Sequence, residues 1–143
     1  MILTALLPPL LVVEDSAEDF TALRRVFQRT HLRHPVERCT DGDEALAYLR
    51  AATNPRPVLV LLDLNTPGTD GRTVLELIKR DPALRAIPVV VFSTSTNPRD
   101  IDECYQLGAN SYLVKPLEYP LLEARIGLLI RYWLETTALP SGP

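Results

Sequence analysis

The feature that most constrains this chain is a set of short, unbroken apolar runs separated by stretches of helical period. Residues 10–13, 58–62, 89–92 and the shorter 112–114 are each bounded by polar residues or proline, and residues 36–39 form a fainter fifth run. A run that is apolar at every position, rather than at every second one, suits a strand covered on both faces, as in a parallel sheet between two helical layers. The intervening segments carry apolar residues at helical spacing: Phe20, Leu23 and Phe27 in 17–30, Ala45, Leu46 and Leu49 in 43–52, and Val74, Leu77 and Ile78 in 70–80. Residues 98–107, closed by Gly108, and 120–136 complete the series. Five alternations of strand and helix predict right-handed crossovers and an α/β fold. Its form is a doubly wound, five-stranded parallel sheet of order 2-1-3-4-5, a flavodoxin-like three-layer sandwich.

At 143 residues there is room for one ordinary domain, with a core over about residues 9–136 and a tail at 137–143. A chain that is 46% hydrophobic and 23% charged is neither disordered nor fibrous in composition. The net charge of −3, with Lys and Arg scattered among acids, speaks against a nucleic-acid partner, because neutralising a duplex needs clustered cations. No run approaches the roughly 18 apolar residues of a membrane span, so no membrane association is expected. The apolar start, residues 1–13, lacks a basic leader and is broken by Pro8 and Pro9, which makes it a lead-in to a strand rather than a signal peptide. Cys39 and Cys104 lie far apart with no metal-ligand spacing around them, and are expected as buried thiols in a reducing, cytoplasmic setting.

In an open parallel sheet, ligands bind beyond the carboxyl ends of the strands, so the residue after each apolar run carries the information. Those positions hold Glu14 and Asp15, then Asp63, then Ser93 and Thr94, then Lys115 followed by Pro116. Taken singly, each has an ordinary explanation: an Asp after a strand is a turn residue, and a lone Lys is solvated. Taken together, four strand ends supply three carboxylates, a hydroxyl and an ammonium to one edge. Crowded carboxylates repel, and each unit of upward pKa shift costs about 1.4 kcal/mol, so a counter-charge is required. Hard oxygen ligands with open positions suit Mg2+, which takes one or two carboxylates and bridges to phosphate. The matching chemistry is phosphoryl transfer to a carboxylate, with Lys115 neutralising one phosphoryl oxygen and Ser93 hydrogen-bonding another.

These residues fall in motifs that resemble the receiver domains of two-component response regulators. Val12-Val13-Glu14-Asp15 is similar to the acidic pair. Leu61-Leu62-Asp63-Leu64-Asn65-Thr66-Pro67 with Asp70-Gly71 is similar to the phosphoacceptor loop. Pro88-Val89-Val90-Val91-Phe92-Ser93 and Tyr112-Leu113-Val114-Lys115-Pro116 are similar to the last two strands. The resemblance covers about residues 9–131, and the intervals from Asp63 to Ser93 and from Ser93 to Lys115 agree with small chemotaxis-type receivers without gaps. It implies that Asp63 is the phosphoacceptor and that Glu14, Asp15, Asp63 and the Asn65 backbone carbonyl hold Mg2+. It further implies that Ser93 and Lys115 are the switch hydroxyl and phosphate-binding lysine, and that Tyr112 is the switch aromatic. The implied partner is a histidine kinase. The implied output is a change in the face formed by the fourth helix, fifth strand and fifth helix.

Three features depart from the common pattern. Thr94 stands where a smaller residue is usual and is expected to narrow the entrance for water or small phosphodonors; residues 51–57 are a longer connection than in minimal receivers. The last helix runs on to Trp133-Leu134-Glu135-Thr136, which resembles the single-domain regulators paired with phytochrome-type histidine kinases. In that helix Leu122, Ile126, Leu129 and Trp133 form one stripe for the sheet, while Leu121, Leu128 and Tyr132 add apolar area on another side. A helix apolar beyond one stripe meets a second protein surface, and a homodimer is expected there. No output module is legible after this helix, so signalling is expected by docking to a downstream protein.

Three rival readings use the same fold. A Mg-dependent phosphatase working through an aspartyl phosphate would place a second Asp two residues after the nucleophile, where this chain has Asn65. A nucleotide or flavin binder would carry a Gly-rich loop after the first strand, where this chain has Glu14-Asp15-Ser16-Ala17. A non-phosphorylated adaptor or dimerisation module would need only the apolar helix face.

Overall fold

The computed structural model describes residues 7–143; the part of the apolar start at residues 1–6 lies outside the described residues. Five parallel strands, β1 (Leu10–Val13), β2 (Val36–Cys39), β3 (Leu59–Leu62), β4 (Val89–Ser93) and β5 (Ser111–Val114), form one sheet in the order β2-β1-β3-β4-β5. They alternate with α1 (Ala17–Arg29), α2 (Gly42–Arg50), α3 (Gly71–Arg80), α4 (Pro98–Gln106) and α5 (Tyr119–Ile130). This is the doubly wound flavodoxin-like architecture read from the sequence.

Strand pleating divides the core in two, because successive side chains point to opposite faces. Leu11, Val13, Val60, Leu62, Val89 and Val91 pack on one side with Leu46 of α2, Val74, Leu75 and Ile78 of α3, and Cys104 of α4. Leu10, Val12, Leu59, Leu61, Val90 and Phe92 pack on the other with Leu23, Val26 and Phe27 of α1 and Leu122, Ile126 and Leu129 of α5. The expectation of strands covered on both faces holds for β1, β3 and β4, which are buried throughout. It fails for β5, which is half-buried along its length because it is an edge strand with a neighbour on one side only. The faint β2 run has the same cause: as the opposite edge it buries only Cys39 fully.

Helix starts follow local chemistry. The side chains of Ser16, Asp41, Asp70 and Asn97 accept from backbone N–H groups of the first turns of α1, α2, α3 and α4. Asp41 and Asp70 are thus caps, so α2 begins one residue before the expected 43 and α3 one after the expected 70. Gly108, at φ 109°, ends α4 in a backbone conformation that side chains oppose. The expected uniform helix over 120–136 is corrected: α-helical bonding stops at Ile130 and a π-helical stretch, Arg131–Thr136, follows. The wider turn lets Leu134 join Trp133 against the core that α5 covers. Cys39 and Cys104 are buried free thiols, and burial pushes Cys39 up to about 12. No helix among the described residues is long and apolar enough to cross a membrane.

Candidate phosphoacceptor and metal site

The site is assembled by the parallel ladders continuing one residue past the strands. Val13 pairs with Cys39 and with Leu62, and the Asp63 N–H then donates to the Val13 carbonyl at 3.1 Å while the Glu14 N–H donates to that of Cys39 at 2.9 Å. On the other half of the sheet Ser93 pairs with Val114, and the Lys115 N–H donates to the Ser93 carbonyl at 2.8 Å. Register alone therefore brings residues separated by up to 101 positions to one edge.

Among the described residues, the buried polar or charged side chains are Glu14, Asp63 and Ser93, all at this edge. One oxygen each from Glu14, Asp15 and Asp63 lies within 4.8 Å of the others, with Asp15 exposed at the mouth. The donor set is three hard oxygens open to solvent on one side, which fits a divalent cation such as Mg2+ and suits soft metals poorly.

Lys115 supplies compensating charge. Its Nζ lies 2.6 Å from Glu14 Oε1, 2.9 Å from Asp63 Oδ2 and 3.2 Å from Asp19 Oδ2. Burial alone would lower its pKa, but the hydrogen bonds to Glu14 and Asp63 outweigh this and hold it raised, so the ammonium is firmly charged. Glu14 is also raised from the range of an ordinary carboxyl. Burial pushes it up to about 7, opposed by the hydrogen bond from Lys115 and reinforced by the charge of Asp63. The same Lys115 ammonium sits 5.6 Å from the centre of the Phe92 ring.

Asp63 is held at both oxygens, Oδ2 by Lys115 and Oδ1 by the Asn65 N–H at 3.0 Å, which fixes the carboxylate plane. Gly71 makes room for this loop: a Cβ there would come within 2.7 Å of the Asp63 carbonyl oxygen. The Ser93 hydroxyl, buried, accepts from the Ser95 N–H at 3.2 Å. Thr94 is exposed and lines a cleft of about 210 Å³ with Asp19, Phe92 and Lys115. Tyr112 is half-buried, and its hydroxyl donates to the Ser95 carbonyl at 2.9 Å.

Two neighbours of these residues went unread in the sequence. Asp19 was legible as a partner one helical turn beyond Asp15, had the lysine's reach been known. Ser95 was not: its role as a hub, touching Ser93, Tyr112 and the Asp100 carboxylate, which Arg72 also holds at 2.9 Å, depends on how α3 and α4 meet.

The expected apolar surface on the last helix is present. Leu121, Leu128 and Tyr132 are 44%, 59% and 54% exposed, while Leu122, Ile126 and Leu129 face the sheet. Tyr132 meets the edge of Trp133 at 5.1 Å between ring centres.

Comparison with known proteins agrees with this architecture. Residues 10–127 match the response regulator receiver domain. Response regulator Rcp1 of Synechocystis is 40% identical, with 94% of this chain and 96% of Rcp1 aligned. A probable methanogenesis regulatory protein, FilR2 of Methanothrix harundinacea, is 41% identical over 94% of this chain and 88% of its own length. Among solved structures, the Mn2+-bound form of Rcp1 superimposes with a TM-score of 0.89 at 39% identity, covering 94% of this chain and all of that one. The phosphorylated cyanobacterial phytochrome response regulator RcpA superimposes at 0.88 and 40% identity, covering 94% and 99%. The match over residues 10–127 takes in most of the chain, the similarity to Rcp1 runs along nearly the whole of both proteins, and the chain belongs to the response regulator receiver domain family.

Proposed function

We propose that this protein is a phosphorylatable signalling switch, which accepts a phosphoryl group on Asp63 from a histidine kinase and passes the signal on by docking. The observation that carries the reading is the contact of one ammonium, Lys115 Nζ, with both Glu14 and Asp63 at 2.6 and 2.9 Å beside a third carboxylate, Asp15. The carboxylates of Glu14, Asp15 and Asp63 and the backbone carbonyl of Asn65 would hold Mg2+. When bound, the ion supplies positive charge to the phosphoryl oxygens.

The chain's residues do the rest by position and charge. An Asp63 oxygen forms the new bond to phosphorus as the P–N bond of a kinase phosphohistidine breaks, and the imidazole nitrogen leaves with its electron pair. Lys115 trades its contact with Asp63 Oδ2 for one with a phosphoryl oxygen, and Ser93 Oγ turns to donate to another. Ser93 is tied through Ser95 to the Tyr112 hydroxyl, so that turn is felt at β5. Thr94, at the mouth of the Lys115 cleft, restricts access for water and small donors. The likeness to RcpA supports a phytochrome-type kinase as the donor.

The exposed Leu121, Leu128 and Tyr132 support a homodimer through the face of α4, β5 and α5, with the kinase contact elsewhere. The test of the phosphoacceptor is intact mass after incubation with Mg2+ and a small phosphodonor. One added phosphoryl group is expected, absent in Asp63→Asn and absent without Mg2+. Equal labelling of Asp63→Asn overturns the assignment.

A further inference from the structure

Neither the acid cluster nor the switch accounts for Arg38, the third residue of β2. Its side chain reaches over the end of β1, where Nε donates to the Glu14 carbonyl at 3.1 Å and Nη2 donates to the Asp15 carbonyl at 3.3 Å. The guanidinium lies 4.8 Å from the centre of the Phe20 ring of α1. Among the described residues Arg38 is in no ion pair, and its hydrogen bonds go to these two carbonyls.

The two carbonyls belong to the residues whose side chains are the cluster's acids. A guanidinium presents its donors in a fixed plane. Gripping consecutive carbonyls with that fork sets the rotation of two peptide planes, and with it the direction in which the side chains leave the backbone. Other restraints on this segment are the Glu14 N–H to the Cys39 carbonyl at 2.9 Å, the Ser16 N–H to Glu14 Oε2 at 3.3 Å and the Lys115 ammonium to Glu14 Oε1 at 2.6 Å. None of these orients the exposed Asp15. Phe20 holds the guanidinium from the far side, so β2, the turn after β1 and the first turns of α1 are stitched at one point.

We infer that Arg38 is a positioning residue for the divalent cation, holding the Glu14–Asp15 segment so that both carboxylates converge with Asp63. The inference rests on the cation-site reading above. The competing account is a purely structural stitch between β2 and β1.

Calorimetric titration of the full chain with Mg2+ alone, and with Mn2+ alone, separates the two. Arg38→Met keeps an unbranched side chain beside Phe20 and loses both donors. Expected are about tenfold weaker binding of either ion, the usual scale for losing an outer support of a metal site, and a metal-free Tm close to wild type. Phosphorylation by a small donor should be slow at limiting Mg2+ and recover at saturating Mg2+. Arg38→Lys, with one donor point, should regain part of the affinity. Unchanged ion affinity in Arg38→Met, whatever its Tm, overturns the role of Arg38. If Arg38→Met does not fold, Arg38→Gln tests the same point: its shorter amide cannot span both carbonyls, and unchanged affinity there overturns the role equally. A wild type that binds neither ion overturns the cation site itself, an outcome distinct from wild-type binding matched by Arg38→Met.

Discussion

The carboxyl edge of the sheet and the outer side of the last helix both break the rule that charges stay out and large apolar side chains stay in, in opposite directions. At the first, Glu14 and Asp63 are buried; at the second, Leu128 and Tyr132 are more than half exposed. The difference lies in compensation. Each buried carboxylate has a partner within the chain, chiefly Lys115, whereas the described residues leave more than half of Leu128 and Tyr132 in solvent. A site complete in one copy is chemistry the fold can hold alone, and a surface left uncovered is where a second molecule adds something.

The largest expected effect breaks the compensation at the first region. Lys115→Ala leaves two buried carboxylates facing each other, and the metal-free protein should lose about 3 kcal/mol of unfolding free energy in urea, the scale for removing one partner of a buried pair. Saturating Mg2+ should restore most of the loss. A variant as stable as wild type without metal would mean that the lysine does not hold the cluster together. Phosphorylation of this variant with coupling lost would mark Lys115 as a switch group; loss of phosphorylation itself would make it part of the transfer machinery.

A subtler test uses pH. Burial holds Glu14 at about 7 in the folded chain against 4.5 for an ordinary glutamate, so the folded state binds its proton more tightly than the unfolded state does. The stability this contributes is fully present below about pH 4.5 and is lost as the pH rises through about 7. Urea midpoints of metal-free wild type should therefore fall across that window relative to Glu14→Gln. Parallel profiles for the two proteins would show that Glu14 is not desolvated as the structure has it.

The second region should respond least in folding and most in assembly. Leu128→Glu changes an exposed position, and its effect on unfolding free energy should stay within about 0.5 kcal/mol. In sedimentation at tens of micromolar, wild type should run as a dimer and Leu128→Glu as a monomer, because an isologous contact repeats the new charge near the two-fold axis. Monomeric wild type, with and without phosphodonor, would remove the contrast between a self-sufficient site and a surface awaiting a partner.

Much of this was legible in the chain, for local reasons. Residues 10–13 and 59–62 are apolar without interruption because helices cover both faces of their strands, and the polar residue that follows each run marks the strand end. The acids, the hydroxyl and the lysine could be named because topology sends every parallel strand end to one edge. The half-burial of β5 was less visible, since Tyr112-Leu113-Val114 reads the same in an edge strand as in a central one. The change from α to π bonding after Ile130 was likewise hidden, because the apolar spacing of Trp133 and Leu134 fits either turn.

Sequence by itself determined the order of elements, the two-sided core and the set of groups at the sheet's carboxyl edge, because these depend on periodicity and on what each strand runs into. Only tertiary structure decided which groups touch. Register put Asp63 beside Glu14, a lysine 101 positions away from Glu14 closed on both, and Arg38 crossed from β2 to grip the backbone of the acid pair. Contacts of that kind depend on angstrom-scale distances between elements far apart in the chain, and no local pattern encodes them.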